Sequence, residues 1–340
     1  MEILLDLGSF AAKVLLLTLA ATAVLVVIAN LVHRMRPPRE QLEVEILNDK
    51  YENFAEAIKE STLSAKELKA ERKLRAKKEK AEKKAPVHKP KLFVLNFDGD
   101  LRASEVDRLR DEITAILTAA APGDEVVVKI ESTGGMVHSY GLAASQMLRL
   151  RDHGIKVTAC VDKVAASGGY MMACTADKVI AAPFAIVGSI GVVAQVPNFH
   201  RVLKKHDIDY EELTAGEFKR TISLLGEITP KGKQKFVEQL EDTHKLFKEF
   251  VQKQRPKANL DQVATGEYWF GQRALDLGLV DELMSSDDYL YRSRERATIL
   301  EMTIEWRKSF GEKMAENFSA MTESALSRWQ QKLHDEKSLL

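Results

Sequence analysis

The stretch EVVVKIESTGG, Glu125–Gly135, runs from an apolar, β-branched segment straight into a Ser-Thr-Gly-Gly turn. Glu125–Glu131 reads as a strand, and the residues after the glycines, to about Arg151, read as a helix. Paired glycines let the backbone turn tightly and leave N–H groups unobstructed at a helix N-terminus. Such a junction stabilises an anion, whether a phosphate, a carboxylate or a reaction oxyanion. A plain tight turn explains two glycines just as well.

The same alternation continues on either side. Leu92–Phe97 reads as a short strand. Ser104 opens a helix with Asp107 as its capping-box partner, and Val106, Leu109, Ile113, Ile116 and Leu117 form one apolar face. Pro122-Gly123-Asp124 breaks that helix ahead of the Glu125 strand. Ile155–Val161 is a third strand, Ser167–Ala176 a helix and Lys178–Ala182 a fourth strand. Strands separated by helices predict an α/β fold with a parallel sheet built from right-handed crossovers. Residues 232–254 form a long amphipathic helix ending before Pro256, residues 297–305 a late strand, and residues 310–334 a second amphipathic helix. No internal repeat is present, so the chain carries one copy of the unit.

A second junction, Ala165-Ala166-Ser167-Gly168-Gly169-Tyr170, follows the third strand. Small neighbours leave the Ser167 hydroxyl accessible at the positive end of a helix. A serine in that place is also an ordinary helix cap. The two junctions together shift the balance, because a parallel sheet gathers such turns at one edge. A nucleophile on one turn and oxyanion-binding amides on the other are what acyl transfer requires. Among the histidines only His138 lies near either junction, while His153, His200, His206 and His244 sit in polar, charged stretches that read as exposed. No Ser-His-Asp order emerges. A desolvated lysine serves as base in other enzymes, but residue pattern alone does not single one out.

Composition bounds the rest. The chain has 340 residues, is 45% hydrophobic and carries zero formal net charge. Twelve Lys/Arg face four Glu between Lys66 and Lys91. That run has no interleaved aromatics and reads as a solvated tether, not as a nucleic-acid site. Cys160 and Cys174 have neither metal nor disulfide spacing and read as buried free thiols.

Val14–Val32 is apolar apart from Thr18, Thr22 and Asn30, long enough to cross a bilayer core of about 30 Å. Glu2 and Asp6 precede it where a signal peptide would be basic, so it reads as an uncleaved anchor within residues 1–36. Arg34, Arg36 and Arg39 then place the following chain on the cytoplasmic side by charge. Residues 37–91 read as a polar, Lys-rich spacer closed by Pro86 and Pro90, residues 92–285 as the folded domain, and 286–340 as an extension.

Several motifs together resemble the signal peptide peptidase A family, most closely its SohB-type inner-membrane members. They are Glu131–Gly135, Val164–Met172, Val187–Val192, Gly216–Arg220, and the segment from Thr265 to Asp281. The resemblance implies a ClpP/crotonase-like β-β-α superhelix and a serine endopeptidase without cofactor or metal. Carried over by motif, Ser167 is the nucleophile and Lys219 its general base. Ser189 is the residue that hydrogen-bonds the lysine, and Gly134 or Gly135 with Gly168 form the oxyanion hole. The usual Ser-Pro-Gly-Gly turn reads Ser132-Thr133-Gly134-Gly135 here, so residue 133 keeps an N–H and loses the φ that proline fixes. The resemblance further implies peptide or protein substrates, homo-oligomers, a lipid contact through the anchor, and for relatives a catalytic domain on the outer face of the membrane. A crotonase-like acyl-CoA enzyme and a non-catalytic membrane scaffold are the alternative readings.

Overall fold

The computed structural model describes residues 40–84 and 89–306. The apolar run 14–32 and the amphipathic stretch 310–334 lie outside the described residues. No helix among the described residues is long and apolar enough to cross a membrane. By contacts the chain divides into Glu43–Thr303 and a second unit of Met1–Leu42 with Ile304–Leu340, and the site belongs to the first.

In chain order the elements are β1 (Glu40–Ile46), α1 (Leu47–Thr62), α2 (Ala65–Lys84), β2 (Lys91–Gly99), α3 (Val106–Ala119), β3 (Glu125–Ser132) and α4 (Val137–Asp152). Then come β4 (Lys156–Val161), β5 (Val164–Ala166), α5 (Gly168–Ala173), β6 (Lys178–Ala181), β7 (Ile186–Gly188), α6 (His200–Lys205) and α7 (Pro230–Gln254). The chain continues through α8 (Leu260–Val263), β8 (Tyr268–Phe270), α9 (Gly271–Asp276), β9 (Glu282–Leu283), α10 (Ser286–Ser293) and β10 (Thr298–Trp306).

The sheet runs β1-β10-β2-β3-β4-β6-β9, and every pair from β10 to β9 is parallel, as the strand-helix alternation predicts. Its central strands are predominantly apolar because both faces are covered. On one face Leu109, Ile113 and Ile116 of α3 and Tyr140, Ala143, Met147 and Leu150 of α4 pack on Leu95, Val126 and Val128. On the other, Leu92, Val94, Val127 and Ile180 meet Tyr289 and Leu290 of α10. Cys160 and Cys174 are free and buried, as read.

Three boundaries differ from the sequence reading. Glu40–Ile46, assigned to the spacer, enters the sheet beside β10. Asn48 fastens the start of α1 by donating to Arg294 and Ala297 carbonyls at 3.0 and 3.1 Å and accepting the Ile299 N–H at 2.7 Å. The segment 286–303, assigned to an extension, supplies α10 and most of β10 and so completes the sheet. Finally, α3 starts at Val106 without a capping side chain. Asp100 has captured Ser104, accepting its N–H at 2.8 Å and its hydroxyl at 2.7 Å, so the serine closes an Asx turn instead of a helix.

Candidate active site

The sheet divides near the end of β3. Through Lys129 that strand pairs with β4, but Ser132 pairs with Ala165 of β5. Two residues past this pair lie Gly134 on one strand and Ser167 on the other, so the register itself brings the two junctions together. A Cβ on Gly134 would stand 2.7 Å from Ser167 Cβ and 2.7 Å from Gly168 N, and Gly134 has φ +90°. Both the approach and the dihedral exclude any other residue.

Ser167 occupies φ 52°, ψ −117°, a region costly for a residue with a side chain. It sits at the N-cap position of α5, yet its side chain makes no capping bond. That removes the capping reading. Its backbone is fully engaged, with the N–H donated to Gly188 O at 2.7 Å and the carbonyl accepting Met171 N–H at 2.9 Å. The half-buried hydroxyl is left on a sharp strand-to-helix turn, the placement of a nucleophile elbow.

The glycine amides divide by role. Gly134 N–H is already donated to Ser132 Oγ at 3.1 Å. Gly135 N–H has no hydrogen-bond partner among the described residues, and Gly168, first residue of α5, has no carbonyl one turn back to donate to. The Gly135 and Gly168 N–H groups are therefore uncommitted, and Gly134 allows the two turns to pack closely.

A brace behind these glycines was not legible in the sequence. The buried Tyr140 hydroxyl donates to Asp100 O at 2.7 Å and meets Ser132 Oγ at 2.5 Å. Any Cβ on Gly168 would collide with the Tyr140 ring. Burial raises the Tyr140 pKa, offset in part by the Ser132 hydrogen bond, so the hydroxyl stays a donor. Beneath α5, Tyr170 is wholly buried and donates to Leu279 O at 2.9 Å. Beside it Arg255, at the end of α7, clamps Asp281 through two bonds of 2.7 Å. Burial alone would raise the Asp281 pKa, but Arg255 and the Val179 N–H outweigh it and hold the carboxyl below its usual range.

Ser189 follows Gly188, which accepts the Ser167 N–H, so the β5–β7 pairing carries it to the site. It too has positive φ, 51°, its N–H donates to Glu267 O at 2.7 Å, and its hydroxyl makes a long contact to Gly266 O at 3.4 Å. Lys219 is not hydrogen-bonded to that turn. It lies exposed in the irregular segment before α7, on a turn closed by its N–H to Gly216 O at 3.2 Å. No hydrogen bond joins Lys219 to Ser167 or Ser189 among the described residues. Nor is a histidine hydrogen-bonded to Ser167 among the described residues. His138 is exposed, and His244, read as exposed, is half-buried with Nε2 3.1 Å from Ile190 O.

Known proteins resemble the chain over most of its length. A probable protease SohB of Haemophilus influenzae is 48% identical over 91% of this chain and 91% of its own. A probable protease SohB of Buchnera aphidicola is 44% identical over 96% of each. Protease 4 of Haemophilus influenzae is 28% identical over 64% of this chain and 37% of its own. Among solved structures, a mutant of a membrane-bound stomatin-specific protease in complex with a substrate peptide has a TM-score of 0.41 at 12% identity, covering 69% of this chain and 100% of that one. Residues 2–147 match the N-terminal part of peptidase family S49 and residues 149–300 match peptidase family S49 itself, so with these relatives the chain belongs to that family.

Proposed function

We propose that the protein is a membrane-anchored serine endopeptidase that hydrolyses membrane-proximal or signal-peptide-like segments with a Ser167/Lys219 dyad. The observation that carries the reading is the strained Ser167 turn pressed against Gly134, with the hydroxyl uncommitted. Membership of a peptidase family supplies the reaction class.

In this reading Ser167 Oγ attacks the scissile carbonyl as the Lys219 amine takes its proton, giving a tetrahedral oxyanion held by the N–H groups of Gly135 and Gly168. The ammonium then protonates the leaving amine, and water repeats the cycle on the acyl-enzyme. A base must come within roughly 2.6–3.2 Å of the hydroxyl it deprotonates. The irregular segment bearing Lys219 therefore has to close on the serine turn, where Ser189 would hold the amine. Exposed Val193, Phe199, Val202, Ile208 and Leu213 on the chain from Ser189 to Thr229 support a homo-oligomer in which that segment is covered. The anchor is the apolar run Val14–Val32, with the catalytic domain cytoplasmic by the arginines that follow it.

A serine-directed fluorophosphonate tests the reaction class directly. It is expected to label the full-length protein at Ser167 and to leave Ser167→Ala unlabelled. Labelling elsewhere, or unchanged peptide hydrolysis by Ser167→Ala, would reject the assignment.

A further inference from the structure

The geometry points to a second membrane contact besides the apolar run: one face of α2 rests on an anionic phospholipid surface. Helices α1 and α2 lie side by side through ion pairs, with Arg72 to Glu60 at 2.5 Å and Arg75 to Glu52 at 2.6 Å and Glu56 at 3.1 Å. Lys59 also pairs with Glu71. Glu67 is occupied at the start of α2, accepting the Ser64 N–H at 2.9 Å and its hydroxyl at 2.6 Å. The arginines and these glutamates are thus committed to α1 or to the helix start.

What remains is lysine. At 100° per residue, Lys66, Lys69, Lys73 and Lys77 fall within an arc of about 80°, and no glutamate of α2 shares it. All four are exposed. The helix backbone carries the same register on to positions Lys80 and Lys84. No ion pair among the described residues offsets this face, and like charges on one stripe repel.

The chemistry of the face selects the occupant. It has no aromatic to stack on a base, which disfavours a single-stranded nucleic acid. It offers compact point charges rather than planar forks, which suits a diffuse, fluid layer of headgroups. The apolar run also ends close by in the chain. Residues 33–39 separate Val32 from Glu40, a reach of no more than about 29 Å.

Lysine footprinting of the full-length protein in lipid nanodiscs tests this. With phosphatidylglycerol present, acetylation of Lys66, Lys69, Lys73 and Lys77 should slow by about fivefold relative to pure phosphatidylcholine, and recover in high salt. Lys163 and Lys231, outside this face, should not change. A dye on Ala70→Cys, an exposed site beside the stripe with both native thiols buried, should shift to the blue only with the anionic lipid. That shift should vanish when the four lysines become glutamine. Entry into uncharged discs reports on the apolar run separately, and if it fails the footprint is read on added vesicles of the two compositions. Equal acetylation with and without anionic lipid overturns the proposal. So does protection by duplex DNA without protection by phosphatidylglycerol.

Discussion

Gly134 and Ser167 stand so close that a Cβ on the glycine would lie 2.7 Å from the Cβ of the serine. No side chain fits there, and φ +90° adds strain of about 1–3 kcal/mol to any replacement. Gly134→Ala should push the two turns apart and lower kcat/KM for peptide hydrolysis by about a hundredfold or more, with circular dichroism retained. An alanine variant within twofold of the parent would mean that the turns need not touch.

The Ser132–Tyr140 brace gives a milder expectation. Tyr140→Phe removes the donor to Asp100 O and the partner of Ser132 Oγ, in a place water does not reach. The cost should be about 1–3 kcal/mol in urea unfolding. Ser132 Oγ also accepts the Gly134 N–H, so the turn loosens and kcat should fall several-fold with KM little changed. A fall confined to KM would instead assign Tyr140 to substrate binding.

The Arg255–Asp281 clamp should show in acid. The folded pKa of Asp281 is depressed, so its contribution is present above the ordinary carboxylate value of about 3.9 and is lost as pH falls through the lower folded value. Glu125 is depressed as well, burial being outweighed by bonds from Tyr289 and Thr158, so it adds the same sign. Asp281→Asn should therefore be less stable than the parent at pH 7 and converge on it once the pH falls below the lowered folded pKa of Asp281. Arg255→Leu, which leaves the carboxylate beside a lost cation, should cost about 3 kcal/mol at pH 7. Denaturant titrations at several pH values read both effects.

Much of this was legible locally. The EVVVKIE strand, the glycine turn and the Ala-Ser-Gly-Gly turn each declare themselves within a few residues, because β-branched runs and glycines act on their own backbone. The switch of β3 from β4 to β5 was not legible, since no local feature of Ser132 says which strand it will meet. Likewise β1 carries Glu40, Glu43 and Glu45 and is followed by two highly charged helices, so it reads as spacer until β10 is there to receive it. Lys219 sits where periodicity is absent altogether, and only the Gly-x-x-Lys motif singles it out.

Neither cysteine should react in the native protein. Both are buried, and burial pushes the Cys174 thiol up to about 12 and the Cys160 thiol higher still. At pH 8 each is a protonated, inaccessible thiol, and the thiolate is the reactive form. Ellman's reagent should find no thiol in native protein and both in denaturant. Prompt native reaction of either would show that its strand or helix opens.

The last prediction is the dyad. Ser167→Ala and Lys219→Ala should each lower peptide hydrolysis by roughly four orders of magnitude or more, and the double variant should be no worse, because nucleophile and base act as a unit. His138→Ala should keep most activity, since that side chain is exposed. In the single chain Lys219 is exposed and not hydrogen-bonded to Ser167, so the dyad also predicts a dependence on closure of its segment. Replacing exposed Leu213 and Phe199 by serine should then slow fluorophosphonate labelling of Ser167 while thermal unfolding of the sheet core stays unchanged. The rate should rise with pH along a basic limb, because an amine base works only when neutral, whereas an imidazole would titrate near about 6.5. Substantial turnover by Lys219→Ala, or a limb near pH 6.5 that disappears in His244→Ala, would replace the lysine with the histidine at Ile190.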